Sequence, residues 1–212
     1  MNNILPAIIA KDIAELQEKI NKVEDFVSWA QIDVMDGIFV PPITSFEPKE
    51  LKNLKTKLKL EAHLMIANPE TKLQEWIDSG VSRILVHAES SSHLNIHKII
   101  KELKSAGIES GIALKLKTDI SEIEDFISYL DVVQLMSIAE IGHYGEAFDA
   151  RVIPKIISLR EKFPDVKIEV DGGINLESAK ELLKAGADNL AVGSAIFKSK
   201  NIKETILKLQ NL

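Results

Sequence analysis

The stretch "WAQIDVMDG" (29–37) closes an apolar run on two carboxylates, Asp33 and Asp36, with Gln31 two residues before the first. Ionised side chains are costly inside a strand unless they are paired. The pattern therefore reads either as a reactive site at a strand end or as the start of a loop. Other chemically capable residues close similar runs: His63 in "LKLEAHLM", His87 in "RILVHA", Ser137 after "DVVQLM" and Asp171 at the end of "KIEVD". Taken singly, an Asp at a strand end starts a loop or caps a helix, and a lone His is an ordinary hydrogen-bonded core residue. As a set, Asp33, His63 and Asp171 can bind a divalent cation and move protons. Two glycine turns follow later runs, Gly172–Gly173 in "DGG" and Gly193–Ser194 in "GSA". Backbone N–H groups in such turns can hold a phosphate, and the plain alternative is a tight turn with no ligand.

These residues need a scaffold that brings them together. Eight short apolar runs read as strands: 4–9, 29–34, 58–65, 83–88, 110–115, 131–136, 167–171 and 189–193. Stretches with helical spacing lie between them. Ile13, Leu16, Ile20 and Val23 share one face of "IAELQEKINKV". "NPETKLQEWI" opens with Asn68 as expected N-cap and Pro69 at the first helical position, and "ESAKELLKAGAD" ends on Gly186 as C-cap. Eight strands, each expected to be followed by a helix, predict a single (β/α)8 barrel domain over 1–212, with a doubly wound open sheet as the alternative. In such a barrel the active site lies at the C-terminal ends of the strands, where Asp33, His63 and Asp171 then converge.

Composition narrows the partners. The chain of 212 residues carries a net charge of −6 and has 45% hydrophobic residues. That acidity argues against nucleic acid, which needs concentrated positive charge. With no cysteine, disulfides and thiolate ligands are excluded. No run reaches the ~18 apolar residues of a membrane span, and the N-terminus lacks the pattern of a signal peptide. The expectation is a soluble cytoplasmic protein, with a homo-oligomer left open.

The ordered pieces "IDVMDGIFVPPIT", "AHLMIANPE", "VHAES" and "IEVDGGINLESAKELLKAGAD" resemble the ribulose-phosphate 3-epimerase family, and the likeness runs from "ILPAIIAKDIAEL" to "VGSAIFKS". The resemblance implies an isomerase acting on a phosphorylated ketose, with ribulose 5-phosphate and xylulose 5-phosphate as the default pair. It implies Asp33 and Asp171 as the acid–base pair that passes a proton across an ene-diolate. It also implies a divalent metal (zinc, iron(II) or manganese) on Asp33, His63 and Asp171. Met35, Met65 and Met136 match the methionines that flank the ene-diolate in that family. Gly172, Gly173, Gly193 and Ser194 match its phosphate-binding turns.

Three positions depart from the pattern. Gln31 stands where the family has a histidine ligand, Ala7 where it has a serine, and "EIGHYGEAF" replaces its glycine-rich loop, leaving Gly142 and Gly145 as candidate substrate contacts. A Gln carbonyl is a poorer ligand for zinc or iron(II) than an imidazole. Gln31 is thus a candidate weak ligand, and metal is expected to be weakly bound or absent. The departures also support a second reading, a phosphosugar-binding barrel that has lost catalysis. Related decarboxylase or aldolase barrels carry a lysine between paired aspartates, and "DVMD" has none.

Overall fold

The computed structural model describes residues 3–212. Eight parallel strands close into a barrel in chain order, with the last paired back to the first. They are β1 (Asn3–Ile8), β2 (Trp29–Met35), β3 (Lys59–Met65), β4 (Arg83–His87), β5 (Glu109–Leu114), β6 (Val132–Met136), β7 (Ile168–Asp171) and β8 (Asn189–Val192). The open-sheet alternative is therefore set aside, because β8 pairs with β1 from Asn3↔Asn189 to Pro6↔Val192.

Helices α1 (Ile13–Val23), α2 (Leu73–Ile77), α3 (His93–Ser105), α4 (Val152–Lys162), α5 (Leu176–Ala185), α6 (Ser194–Phe197) and α7 (Ile202–Gln210) complete the fold. Helix α1 buries Leu16, Ile20 and Val23 as its spacing predicts, and Asp12 caps it by accepting from Glu15 N. Gly186 ends α5 in the left-handed conformation, φ 112°. No helix is long and apolar enough to cross a membrane among the described residues.

The expectation of a helix after every strand fails twice. After β2 the chain forms only a 3-10 turn, Pro48–Asn53, and after β5 two more, Ile120–Ile123 and Ile127–Tyr129. In the second segment Ile120, Ile123 and Phe126 are buried. Their spacing of three suits a 3-10 turn, in which i and i+3 eclipse. Asn68 is also no side-chain cap. It takes φ 50°, a left-handed conformation Asn tolerates, and Pro69 starts a short 3-10 turn before α2.

Strand alternation divides the interior into two shells. Ile4, Ile8, Ile32, Leu64, Ile84 and Val170 belong to one apolar cluster with the buried helix faces. The alternate residues fill the barrel, and many are polar: Gln31, Glu61, His63, Gln134 and Glu169 are all fully buried. At the floor, Arg83 Nη1 donates to Glu61 Oε2 (2.7 Å) and Nη2 to Glu109 Oε2 (2.6 Å), with Glu169 Oε2 3.6 Å from Nη1. The guanidinium lies over the Trp29 ring, 4.3 Å from its centroid. Burial and the neighbouring Glu169 push the Glu61 carboxyl well above the usual range, against the pull of Arg83.

Removing one partner of a buried ion pair leaves the other uncompensated. Arg83→Met should therefore lower the free energy of unfolding by about 3–5 kcal/mol, read from urea denaturation.

Candidate active site

Strands β2, β3 and β7 bring three ionisable side chains to one mouth. Register places Asp33 opposite His63 and Met136 opposite Asp171. His63 Nδ1 lies 3.1 Å from Asp33 Oδ1 and 3.5 Å from Asp171 Oδ2. One ligand atom from each of Asp33, His63 and Asp171 falls within 4.8 Å of the others. Between the carboxylates sits Gln31, whose Nε2 donates to Asp33 Oδ1 (2.8 Å) and to Asp171 Oδ2 (2.7 Å).

A second line of contacts supports His63 from behind. Its Nε2 is 2.9 Å from His87 Nε2, and His87 Nδ1 is 3.2 Å from Glu89 Oε2. Glu89 Oε1 accepts in turn from Lys115 N and from the Thr118 hydroxyl. Burial alone would lower the pKa of His63, but hydrogen bonds to Asp171 and Asp33 override it and raise the group to about 10. Burial holds His87 at about 4 despite Glu89. Glu89 is itself held at about 2, where burial is outweighed by His87 and the Thr118 and Lys115 donors. The charges fix the protons: neutral His87 donates from Nδ1 to Glu89 and accepts at Nε2 from His63. Asp171 is raised, by burial first and then by Asp33, with His63 and Gln31 opposing.

Around this cluster lies a cavity of about 40 Å³, room for water but far short of a sugar phosphate. Met65, Met136, Gly142, Gly145, Gly172, Gly173, Gly193 and Ser194 line it with Asp33 and Asp171. Met35 packs beside Met65 and Met136 without lining it. The loop after β6 closes over these turns. A Cβ on Gly193 would lie 2.5 Å from the Tyr144 ring, and one on Gly173, at φ +63°, 2.5 Å from Phe148 N. Tyr144 Oη donates to Ala7 O and accepts from Ile9 N, both at 2.8 Å.

Other residues singled out by type stand outside the cluster. Asp36 accepts from Ile38 N, Phe39 N and Ala67 N and so shapes the loop after β2. The Ser137 hydroxyl donates to Asp171 O and Gly172 O and holds the turn after β7. His143, in the loop after β6, also lines the cavity, about half exposed and with its Nε2 paired to Glu146. Sequence reasoning missed Gln134 and Tyr144. A Gln within the apolar run "DVVQLM" was the signal for the first, and an aromatic inside a glycine-bearing loop for the second.

The ribulose-phosphate 3 epimerase family model matches residues 3–197. This chain belongs to that family. It is 38% identical over 218 residues to the ribulose-phosphate 3-epimerase of Chlamydia muridarum, covering 98% of this chain and 94% of that one. It is 36% identical over 210 residues to the chloroplastic ribulose-5-phosphate-3-epimerase of Arabidopsis thaliana, covering 96% and 74%. The 3-hexulose-6-phosphate synthase of Salmonella typhimurium shares the fold at TM-score 0.77 and 20% identity, over 100% of this chain and 97% of that one. Ribulose-phosphate 3-epimerases are isomerases, and the barrel, the mouth and the paired aspartates now have that context.

The metal that the family resemblance implies can be tested against the donors present. Asp33, His63 and Asp171 fit a divalent cation once His63 exchanges its Nδ1 proton for it. They offer two carboxylate oxygens and an imidazole nitrogen whose ring is oriented through its other nitrogen by His87 and Glu89. Gln31 does not fit as seated, because it turns its amide nitrogen toward the cluster, and that group has no lone pair to give.

The His87 environment sets a pH dependence. As pH falls from 6.5 toward 4, the unfolded chain takes up a proton that folded His87 refuses, so stability is lost in that window. A depression from 6.5 to about 4 corresponds to about 3 kcal/mol. His63 acts between 6.5 and 10 and Glu89 between 4.5 and 2, so neither shapes the upper part of this range. The raised Glu61 and Asp171 carboxyls oppose this loss as pH falls, so the His87 part is read as a difference. Urea unfolding at stepped pH should show a steeper loss of stability toward low pH in the native protein than in His87→Leu.

Proposed function

We propose that the protein is an epimerase of a phosphorylated pentulose, interconverting ribulose 5-phosphate and xylulose 5-phosphate at C3. The observation that carries this reading is the placement of Asp33 on β2 and Asp171 on β7 at one mouth, bridged by the single Gln31 nitrogen. One carboxylate removes the C3 proton from its face of the sugar, and the other, as the acid, returns a proton to the opposite face. The reaction is reversible, so the two exchange roles with direction. His63, charged between them, stabilises the negative charge that develops on the ene-diolate oxygens. A divalent cation held by Asp33, His63 and Asp171 would replace the Nδ1 proton of His63 and supply that stabilisation in its place.

Met65 and Met136 provide an apolar wall for the planar intermediate, with Met35 packed behind them. Gly172, Gly173, Gly193 and Ser194 are the proposed phosphate contacts, and Gly142 and Gly145 let the covering loop approach. Because the cavity is far smaller than the substrate, Tyr144 and its loop must withdraw for entry. Tyr144 rests directly on Gly193, so it stands where phosphate is expected to arrive.

Asp33→Asn and Asp171→Asn should each lower turnover of ribulose 5-phosphate by about 10²–10⁴-fold with the thermal melt unchanged. In deuterated water the native protein should place deuterium at C3, detected by NMR of the sugar. A native protein that binds the sugar phosphate but neither turns it over nor exchanges the proton would replace this reading with the non-catalytic binding barrel.

A further inference from the structure

Gln31 is fully buried, and its orientation is decided by a chain of side chains that does no chemistry. Gln134 Nε2 donates to Gln31 Oε1 at 2.7 Å and to Glu169 Oε1 at 2.9 Å. Asn189 Nδ2 donates to the other oxygen, Glu169 Oε2, at 3.1 Å, and Asn189 Oδ1 accepts from Asn3 Nδ2 at 3.1 Å. The chain is directional. Glu169 accepts on both oxygens, which obliges Gln134 to present its nitrogen. Gln134 then donates to Gln31, which obliges Gln31 to present its carbonyl there and its nitrogen to Asp33 and Asp171.

Turning Gln31 over would set its NH2 against the NH2 of Gln134 and its carbonyl against two carboxylates. Turning Gln134 as well would set its carbonyl against Glu169. Each reversal replaces donor–acceptor pairs by like pairs in a buried site, where an unmade hydrogen bond is costly.

We propose that Gln134 is a positioning residue which, anchored by Glu169, keeps Gln31 as a fixed hydrogen-bond donor to the Asp33–Asp171 pair and withholds its carbonyl from any metal ion at the site. The inference takes those aspartates as the reacting pair from the reading above. Its test reads metal binding and proton exchange, so absence of turnover would count against that reading and not against this one. Gln31 in this state does with two N–H groups part of what a cation does: it holds two carboxylates together without requiring either to give up its charge.

The test is a cycle of Gln134→Leu, Gln31→Leu and the double variant, each stripped of metal and titrated with Mn²⁺ by calorimetry. Gln134→Leu frees the Gln31 carbonyl to face the ion, so Mn²⁺ affinity should rise about tenfold over the native protein. The gain should vanish when Gln31 is already Leu. No gain, or an equal gain with and without Gln31, would overturn the proposal. A second measurement needs no variant of Gln134. In the native ¹⁵N-labelled protein, the Gln31 side-chain NH2, assigned by its absence in Gln31→Leu, should exchange slowly with solvent, because both hydrogens are bound to buried carboxylates. Fast exchange would overturn the proposal even if Gln134→Leu failed to fold.

Discussion

Two carboxylates facing each other in a buried pocket are the constraint on which the site depends. Carboxylates only accept hydrogen bonds, and close together they repel. Asp33 and Asp171 stay together because donors stand between them: the Gln31 amide nitrogen and His63 Nδ1. Neither donor is free to choose its orientation. Gln31 is turned by Gln134, and His63 is turned by His87. Each of those is fixed by an acid that lies away from the two aspartates, Glu169 and Glu89. The site is thus two hydrogen-bonded arms meeting on one pair of carboxylates.

The barrel makes such arms possible. Parallel strands buried on both sides have no solvent face, so the inward residues of each strand must fill the lumen or satisfy one another. In β2 the inward series runs Gln31, Asp33, Met35, from the floor network through the carboxylate at the mouth to the apolar wall. In β7 it runs from Glu169 to Asp171. One acid therefore orients the interior while its neighbour two residues on reaches the mouth. The same period-two geometry links the Arg83 ion cluster to the site through Glu169, which touches both Arg83 and Gln134. Stability at the floor and donor direction at the mouth share a residue.

Much of this was legible in the chain. The eight runs, the buried face of α1, Gly186 as the C-cap of α5 and the meeting of Asp33, His63 and Asp171 all follow from periodicity, turn chemistry and strand-end position. What escaped reading depends on long-range partners or on short segments. The 3-10 turns after β2 and β5 carry helix-like spacing too brief to settle the period, and Asn68 offered a capping side chain that its own backbone conformation removes from use. Gln134 lies 103 residues from Gln31. Nothing local distinguishes it from a stray polar residue in a strand, and only barrel closure gives it a partner. The direction of the Gln31 amide is likewise invisible in sequence, since the same side chain can donate or accept.

The departures from the family pattern also look different once their partners are known. A position that loses its function without replacement leaves unpaired polar atoms or an unfilled space, both costly in a packed barrel. Here Gln31 lies in the middle of a bonded chain, with its oxygen accepting from Gln134 and its nitrogen bonded to both aspartates. Ala7 has no hydroxyl, but its carbonyl accepts from Tyr144, a residue of the altered loop, and the same hydroxyl accepts from Ile9 N. Thus the substituted strand end and the substituted loop meet in one interaction, and the substituted ligand position meets its partner in β6. The three differences fall at two places. One sets which atom of residue 31 faces the carboxylates, and the other sets what covers the glycine turns. Both act on how the two aspartates are held and reached, while Asp33, His63 and Asp171 themselves meet at the mouth.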